Sequence, residues 1–64
     1  MLSEHAQQRM RERKVSLDDI YNCLSTGEVE NKIDLPWRVK ITNNKGLVII
    51  VDKVRYIVVT VYWV

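Results

Sequence analysis

Sixty-four residues make about half of an ordinary domain, so the chain reads as one domain, 1–64, with no room for a second domain or a large cofactor cradle. Hydrophobic residues are 47% and charged residues 28%, with two glycines and one proline, a globular composition that excludes a disordered or collagen-like chain. The formal net charge of +2 is unevenly spread: residues 1–14 carry +2, residues 15–34 carry −4 and residues 35–64 carry +4, so a local polyanion site does not need a high overall charge.

The lone Cys23 offers neither an internal disulfide nor a zinc-type spacing, which suits a reducing compartment. The opening Met1-Leu2-Ser3-Glu4-His5 turns polar at once and does not read as a signal peptide, and the apolar run Ile57–Val64 is too short to span a bilayer as a helix. A cytoplasmic protein with no membrane association is expected. A core this small leaves little stability in reserve, so a homodimer is open.

Ser3 is a good N-cap, and Glu4 to Arg13 are strong helix formers, which predicts a first helix there. At 100° per residue Leu2, Ala6 and Met10 share one stripe, with His5 and Arg9 stacked along its border. A second helix starts after Ser16, with Asp18 and Asp19 in its first turn. Leu17, Ile20, Tyr21 and Leu24 form its apolar face, Cys23 lies off that face, and Gly27 is the expected left-handed end. The connection is two or three residues long, which predicts an αα-hairpin.

Beyond Gly27 the apolar period falls to two. Glu28 to Ile33 reads as a short edge strand ending before Pro36. Trp37, Val39 and Ile41 alternate with Arg38 and Lys40, predicting a strand with one buried and one basic face. Asn43-Asn44-Lys45-Gly46 is turn chemistry, Leu47–Val51 is an apolar strand, Asp52-Lys53 a second tight turn, and Tyr56–Val64 the last strand. In that strand Ile57, Val59, Val61 and Trp63 fall on one face, and Val58, Thr60, Tyr62 and Val64 on the other. The fold class is α+β, two N-terminal helices followed by a three- to four-stranded antiparallel meander.

The sequence holds no glycine-rich phosphate loop, no paired histidines and no Ser-His-Asp grouping with a glycine elbow, so neither a metal nor a cofactor is expected, and Cys23 reads as an inert thiol. What remains is His5 with Arg9 one turn on and Arg13 a further turn on, plus Arg38 and Lys40 on a strand. Histidine exchanges a proton near neutral pH, and arginine grips a phosphate through paired hydrogen bonds without losing its charge. Such groups suit cleavage of RNA by its own 2′-hydroxyl, which needs a proton acceptor, a donor and positive charge on the phosphorane. The same spacing also fits a capping or interface role for His5 and a snorkelling one for Arg9.

Ser3-Glu4-His5-Ala6-Gln7-Gln8-Arg9-Met10-Arg11-Glu12-Arg13 resembles the opening of the small bacterial family catalogued as domain of unknown function 4258, whose chains begin S-x-H-A-x-x-R-M-x-E-R. Gly27-Glu28-Val29 and the closing Val58-Val59-Thr60-Val61-Tyr62 match that family too, whereas Lys14 stands where it often has glycine. The family looks like a compact relative of RelE-type toxins and barnase-like ribonucleases. That resemblance implies a RelE-like fold, RNA as the target, an antitoxin protein as a possible partner, His5 as general acid or base and Arg9 as phosphate clamp. It also implies that Arg13, Thr60 and Tyr62 complete the site, while the basic strand face itself makes Arg38 and Lys40 the expected RNA-binding groove. Strand register decides whether Thr60 and Tyr62 share the Arg38 and Lys40 face. The rival expectation is a non-catalytic interaction domain that dimerises through its two-sided apolar C-terminal strand.

Overall fold

The computed structural model describes residues 2–31 and 36–64. Two helices, α1 (Glu4–Arg13) and α2 (Leu17–Thr26), precede four strands, β1 (Glu28–Asn31), β2 (Arg38–Thr42), β3 (Leu47–Asp52) and β4 (Ile57–Trp63). The strands form one antiparallel sheet in the order β1-β2-β3-β4. The end of the expected first strand, Lys32 and Ile33, lies outside the described residues.

Both helix starts follow from their caps. Ser3 Oγ accepts from the Ala6 N–H, and Ser16 with Asp19 closes a reciprocal capping box. The first helix ends where expected, after Arg13, whereas the end of the second differs from expectation. Lys14 carries the left-handed turn, with φ 56°, which explains why glycine is at home in that position. Gly27 is extended, with φ −74°, and is required for a different reason. A Cβ there would stand 2.5 Å from the Cys23 carbonyl oxygen and 2.6 Å from Ile41 Cγ2, so only glycine lets the end of α2 come this close to β2.

The connection is as short as expected, but the helices do not pair with each other. No Cα of α1 comes within 8 Å of one in α2: α1 packs on β4, and α2 on β2 and β3. The second helix is also rotated from the expected orientation. Its buried side chains are Ile20 and Cys23, while Leu17, Tyr21 and Leu24 are 52%, 64% and 43% exposed. A small thiol rather than a leucine at the contact lets the helix approach, and Cys23 Sγ sits 3.6 Å from the carbonyl oxygens of both Ile41 and Leu47.

The core joins Ala6, Val15, Ile20 and Cys23 to Val39, Ile41, Leu47, Ile49, Val58 and Val61. Val39 and Ile41 are buried as predicted, but Trp37 precedes the strand and is 44% exposed. The turn after Asp52 is longer than expected, so β4 begins at Ile57 rather than Tyr56. A bulge then breaks its alternation. Ile50 pairs with Thr60 while Val51 pairs with Val58, which leaves Val59 as the extra residue and puts Val58 on the same face as Val61.

Candidate functional site

Strand pairing sorts the predicted site residues into two sets. Cross-strand partners share a face, and the helix-covered face holds Val39, Val51, Ile41, Ile49 and Val61. The opposite face therefore carries the rows Arg38–Asp52–Ile57, Glu30–Lys40–Ile50–Thr60 and Glu28–Thr42–Val48–Tyr62. Arg38, Lys40, Thr60 and Tyr62 do share one face. Lys40 and Thr60 are two strands apart, about 10 Å.

That face is less basic than β2 alone implies. Glu30 stands beside Lys40, and Asp52 beside Arg38. Val48 and Ile50 stay buried on it although no helix covers them. Their cross-strand neighbours on this face, Lys40, Thr42, Thr60 and Tyr62, are half-buried. The Asp52 carboxylate is turned to its own loop, where Oδ1 accepts from the Val54 and Arg55 N–H groups at 2.9 and 3.1 Å. Arg38 Nε is buried without a hydrogen-bond partner.

The other set lies on α1. Leu2 forms a parallel bridge with Val58, and the Ser3 N–H donates to the Val58 carbonyl at 3.0 Å. At the other end Arg13 Nη1 donates to the Val61 carbonyl at 3.5 Å, and Trp63 Nε1 donates to the Arg13 carbonyl at 2.9 Å. The helix thus runs parallel to β4 along the sheet's outer edge. Ser3 Oγ also donates to the Val59 carbonyl at 3.0 Å, so the Val58, Val59 and Val61 carbonyls already have partners on α1 and its N-terminus, which works against strand-to-strand pairing along this stretch.

On α1, Gln7 and Arg11 line the groove toward α2, with Leu2, Met10, Val15 and Leu17. His5 and Arg9 lie on the opposite flank by helical angle. His5 is exposed. Arg9 Nε donates to His5 Nε2 at 3.4 Å, and Arg9 Nη1 pairs with Glu12 Oε1 at 2.7 Å. The Arg9 guanidinium, then Gln8 Nε2, hold the Glu12 carboxyl below its ordinary range. Arg9 thus donates toward the ring nitrogen of His5 that points along the outer flank of the helix, the two side chains standing one turn apart.

His5 and Arg9 therefore stand together, and Arg13 continues their line to the β4 edge at Val61, between Thr60 and Tyr62 in the chain. Thr60 and Tyr62 look out from the far face of the same strand, so the predicted set straddles β4 rather than closing one cluster. Cys23 is fully buried, and burial pushes its thiol above the ordinary range, partly offset by the Asn43 N–H, which keeps it inert. Among the described residues no group of three His, Cys, Asp or Glu is placed to hold a metal ion, and no helix is long and apolar enough to cross a membrane. Sequence reading passed over the β3–β4 turn, where Tyr56 takes φ 55° and is 80% exposed. Two cations beside an aromatic in a turn without glycine were the available signal.

The sequence model of the family described as Domain of unknown function (DUF4258) matches residues 2–63. No curated protein and no solved structure matches the chain.

Proposed function

We propose that this chain, which belongs to the DUF4258 family, is a toxin-like RNA-binding domain that cleaves single-stranded RNA at the outer flank of α1. The observation that carries the reading is the exposed His5 ring with its Nε2 3.4 Å from the Arg9 guanidinium. A phosphate arriving at this flank competes with Glu12 and His5 for Arg9, because a guanidinium binds phosphate oxygens through two parallel charged hydrogen bonds. Once Arg9 turns to the phosphate, the Nε2 lone pair is free.

His5 then takes the proton of the ribose 2′-hydroxyl as its oxygen forms a bond to phosphorus. The bond from phosphorus to the 5′-oxygen breaks, and that oxygen leaves with a proton from the imidazolium or from water. Arg9 and Arg13 stabilise the extra negative charge of the phosphorane. The reaction yields a 2′,3′-cyclic phosphate and a 5′-hydroxyl, and needs no metal ion. Arg38, Lys40, Thr60 and Tyr62 guide the strand leaving the rim across the open sheet face. The resemblance to RelE-type toxins and barnase-like ribonucleases supports this reading, and with it a cytoplasmic setting and an antitoxin partner.

The test is incubation of single-stranded RNA with the purified chain in the presence of a chelator. Wild type is expected to cut, His5→Ala to lose cutting, and Arg9→Ala to lose most of it. Equal products from all three proteins, or none from wild type, overturn the catalytic reading.

A second reading, a domain that pairs with a copy of itself, is favoured by the exposed Leu17, Tyr21 and Leu24. They line an open groove with Leu2, Gln7, Ile20 and Val58. The expected route through β4 is displaced to this groove, because the Val58, Val59 and Val61 carbonyls of β4 already have partners. Sedimentation as a dimer that Leu17→Ser dissociates favours it over RNA cleavage.

A further inference from the structure

We infer that the end of the sheet where β2 begins and β3 turns into β4 is a base-stacking subsite for single-stranded RNA, formed by Trp37, Lys53, Arg55 and Tyr56. The inference rests on the reading of the chain as RNA-directed and adds to it a place where bases, rather than phosphates, are held.

Backbone pairing brings the four residues together. The Lys53 N–H donates to the Trp37 carbonyl at 2.7 Å, extending the β2–β3 ladder one step past the Arg38–Asp52 pair. Tyr56 immediately precedes Ile57, which pairs with Asp52. Trp37 and Tyr56 are 44% and 80% exposed, and Lys53 and Arg55 are exposed between them. Two aromatic rings left largely in water beside two cations are what a sequence-tolerant single-strand site needs, since every base offers a π-face and every linkage a negative charge.

The turn is held rigid by a carboxylate that does not compete with RNA. Asp52 is buried and spends Oδ1 on the Val54 and Arg55 N–H groups. From residue 36 to residue 56 the chain carries Arg38, Lys40, Lys45, Lys53 and Arg55 against Asp52 as its only acid.

Tyr56 adds an independent argument. Its φ of 55° is left-handed backbone, where a bulky side chain costs free energy that glycine or asparagine would not. A tyrosine that is 80% exposed, kept in a turn against its own backbone preference, offers its ring to a ligand at the surface.

The subsite is also in line with the cleavage rim. Tyr56 is two residues before Val58, whose carbonyl takes the Ser3 N–H, about 7 Å along the strand. His5 follows in the first turn of α1. A strand stacked on Trp37 and Tyr56 is therefore delivered to His5, Arg9 and Arg13 along the same edge.

The test uses the full chain and a fluorescein-labelled single-stranded RNA of about 10 nucleotides, 2′-O-methylated so that it is bound but not cut. Trp37→Ser and Tyr56→Gly are each expected to weaken binding about five- to a hundredfold. Tyr56→Phe is expected to bind as wild type, and Tyr56→Gly to melt no lower than wild type because its backbone strain is gone. Changing Lys53 and Arg55 to Gln together is expected to lower the slope of log affinity against log salt by about 1.4. Aromatic variants that bind like wild type, or that weaken duplex RNA equally, overturn the subsite. Absence of any RNA binding at low salt overturns it in favour of a protein-binding patch. The non-cleavable RNA separates the two proposals: unchanged binding by the aromatic variants removes the subsite and leaves the rim, whereas intact binding without cleavage of ordinary RNA removes the rim and leaves the subsite.

Discussion

Arg9 shares its guanidinium between two neighbours on the same helix, donating from Nε to His5 Nε2 at 3.4 Å and from Nη1 to Glu12 Oε1 at 2.7 Å. The short bond is the one to the carboxylate, so under the proposed function Glu12 is the competitor that an RNA phosphate would displace.

Glu12→Gln is therefore expected to tighten RNA binding about two- to fivefold, the range set by one exposed ion pair. It is also expected to steepen the salt dependence, because one more guanidinium is free to meet phosphate. Fluorescence anisotropy across a salt series measures both. Binding unchanged or weakened would mean that Arg9 does not contact RNA.

Lys14 closes α1 in the left-handed region, its N–H bonded to the Met10 carbonyl. Lys14→Gly is expected to raise the stability of the chain by about 1 kcal/mol, because glycine enters that conformation without its Cβ meeting the backbone. The flexibility glycine adds to the unfolded chain takes back part of the gain. Urea unfolding followed by circular dichroism decides it, and a lower midpoint with unchanged slope would contradict the account.

Gly27→Ala has the opposite sign. With the added Cβ 2.5 Å from the Cys23 carbonyl oxygen and 2.6 Å from Ile41 Cγ2, α2 has to lift from β2. A loss of about 1–3 kcal/mol is expected, as for other overpacked contacts. If φ were the reason for glycine here, alanine at −74° would cost almost nothing, so the same unfolding experiment separates the two explanations.

Asp19 makes the second helix sensitive to acid. The Ser16 N–H, donating to Oδ2 at 2.9 Å, holds its carboxyl below the ordinary range, with Ser16 Oγ and the charge of Lys45 acting the same way. A folded value below the unfolded one means that the contribution is present above the unfolded pKa and is lost as pH falls through the folded value. Asp19→Asn keeps an acceptor but not the charge. It is expected to flatten the fall of the urea midpoint with decreasing pH across the carboxylate range. An unchanged slope would show that the capping carboxylate carries no linkage.

The fold was legible where the signal is local. Ser3 and Ser16 announce their helices because a hydroxyl before a run of helix formers satisfies orphan N–H groups whatever surrounds it. Val39 and Ile41 announce a half-buried strand by alternation alone. The rotation of α2 was not legible, because Leu17, Tyr21 and Leu24 are the more apolar side chains. Only the sheet beneath them decides that Cys23 and Gly27, being small, make the close contact.

The candidate site was readable to the same depth. His5 and Arg9 meet because four residues are about one turn of helix. Arg13 reaches the sheet because α1 runs parallel to β4, a tertiary fact. Thr60 and Tyr62 fall on the far face because Val59 is bulged, and nothing in the run of valines marks which of them is the extra residue.

The most direct measurement is the chemical nature of the ends left on a short single-stranded RNA after incubation with the wild-type chain, read by mass spectrometry beside the His5→Ala chain. The account predicts 2′,3′-cyclic phosphate and 5′-hydroxyl ends with wild type, no cut at a linkage whose 2′-hydroxyl is replaced by hydrogen, and none with His5→Ala. Intact RNA with wild type, or cutting at the 2′-deoxy linkage, contradicts it.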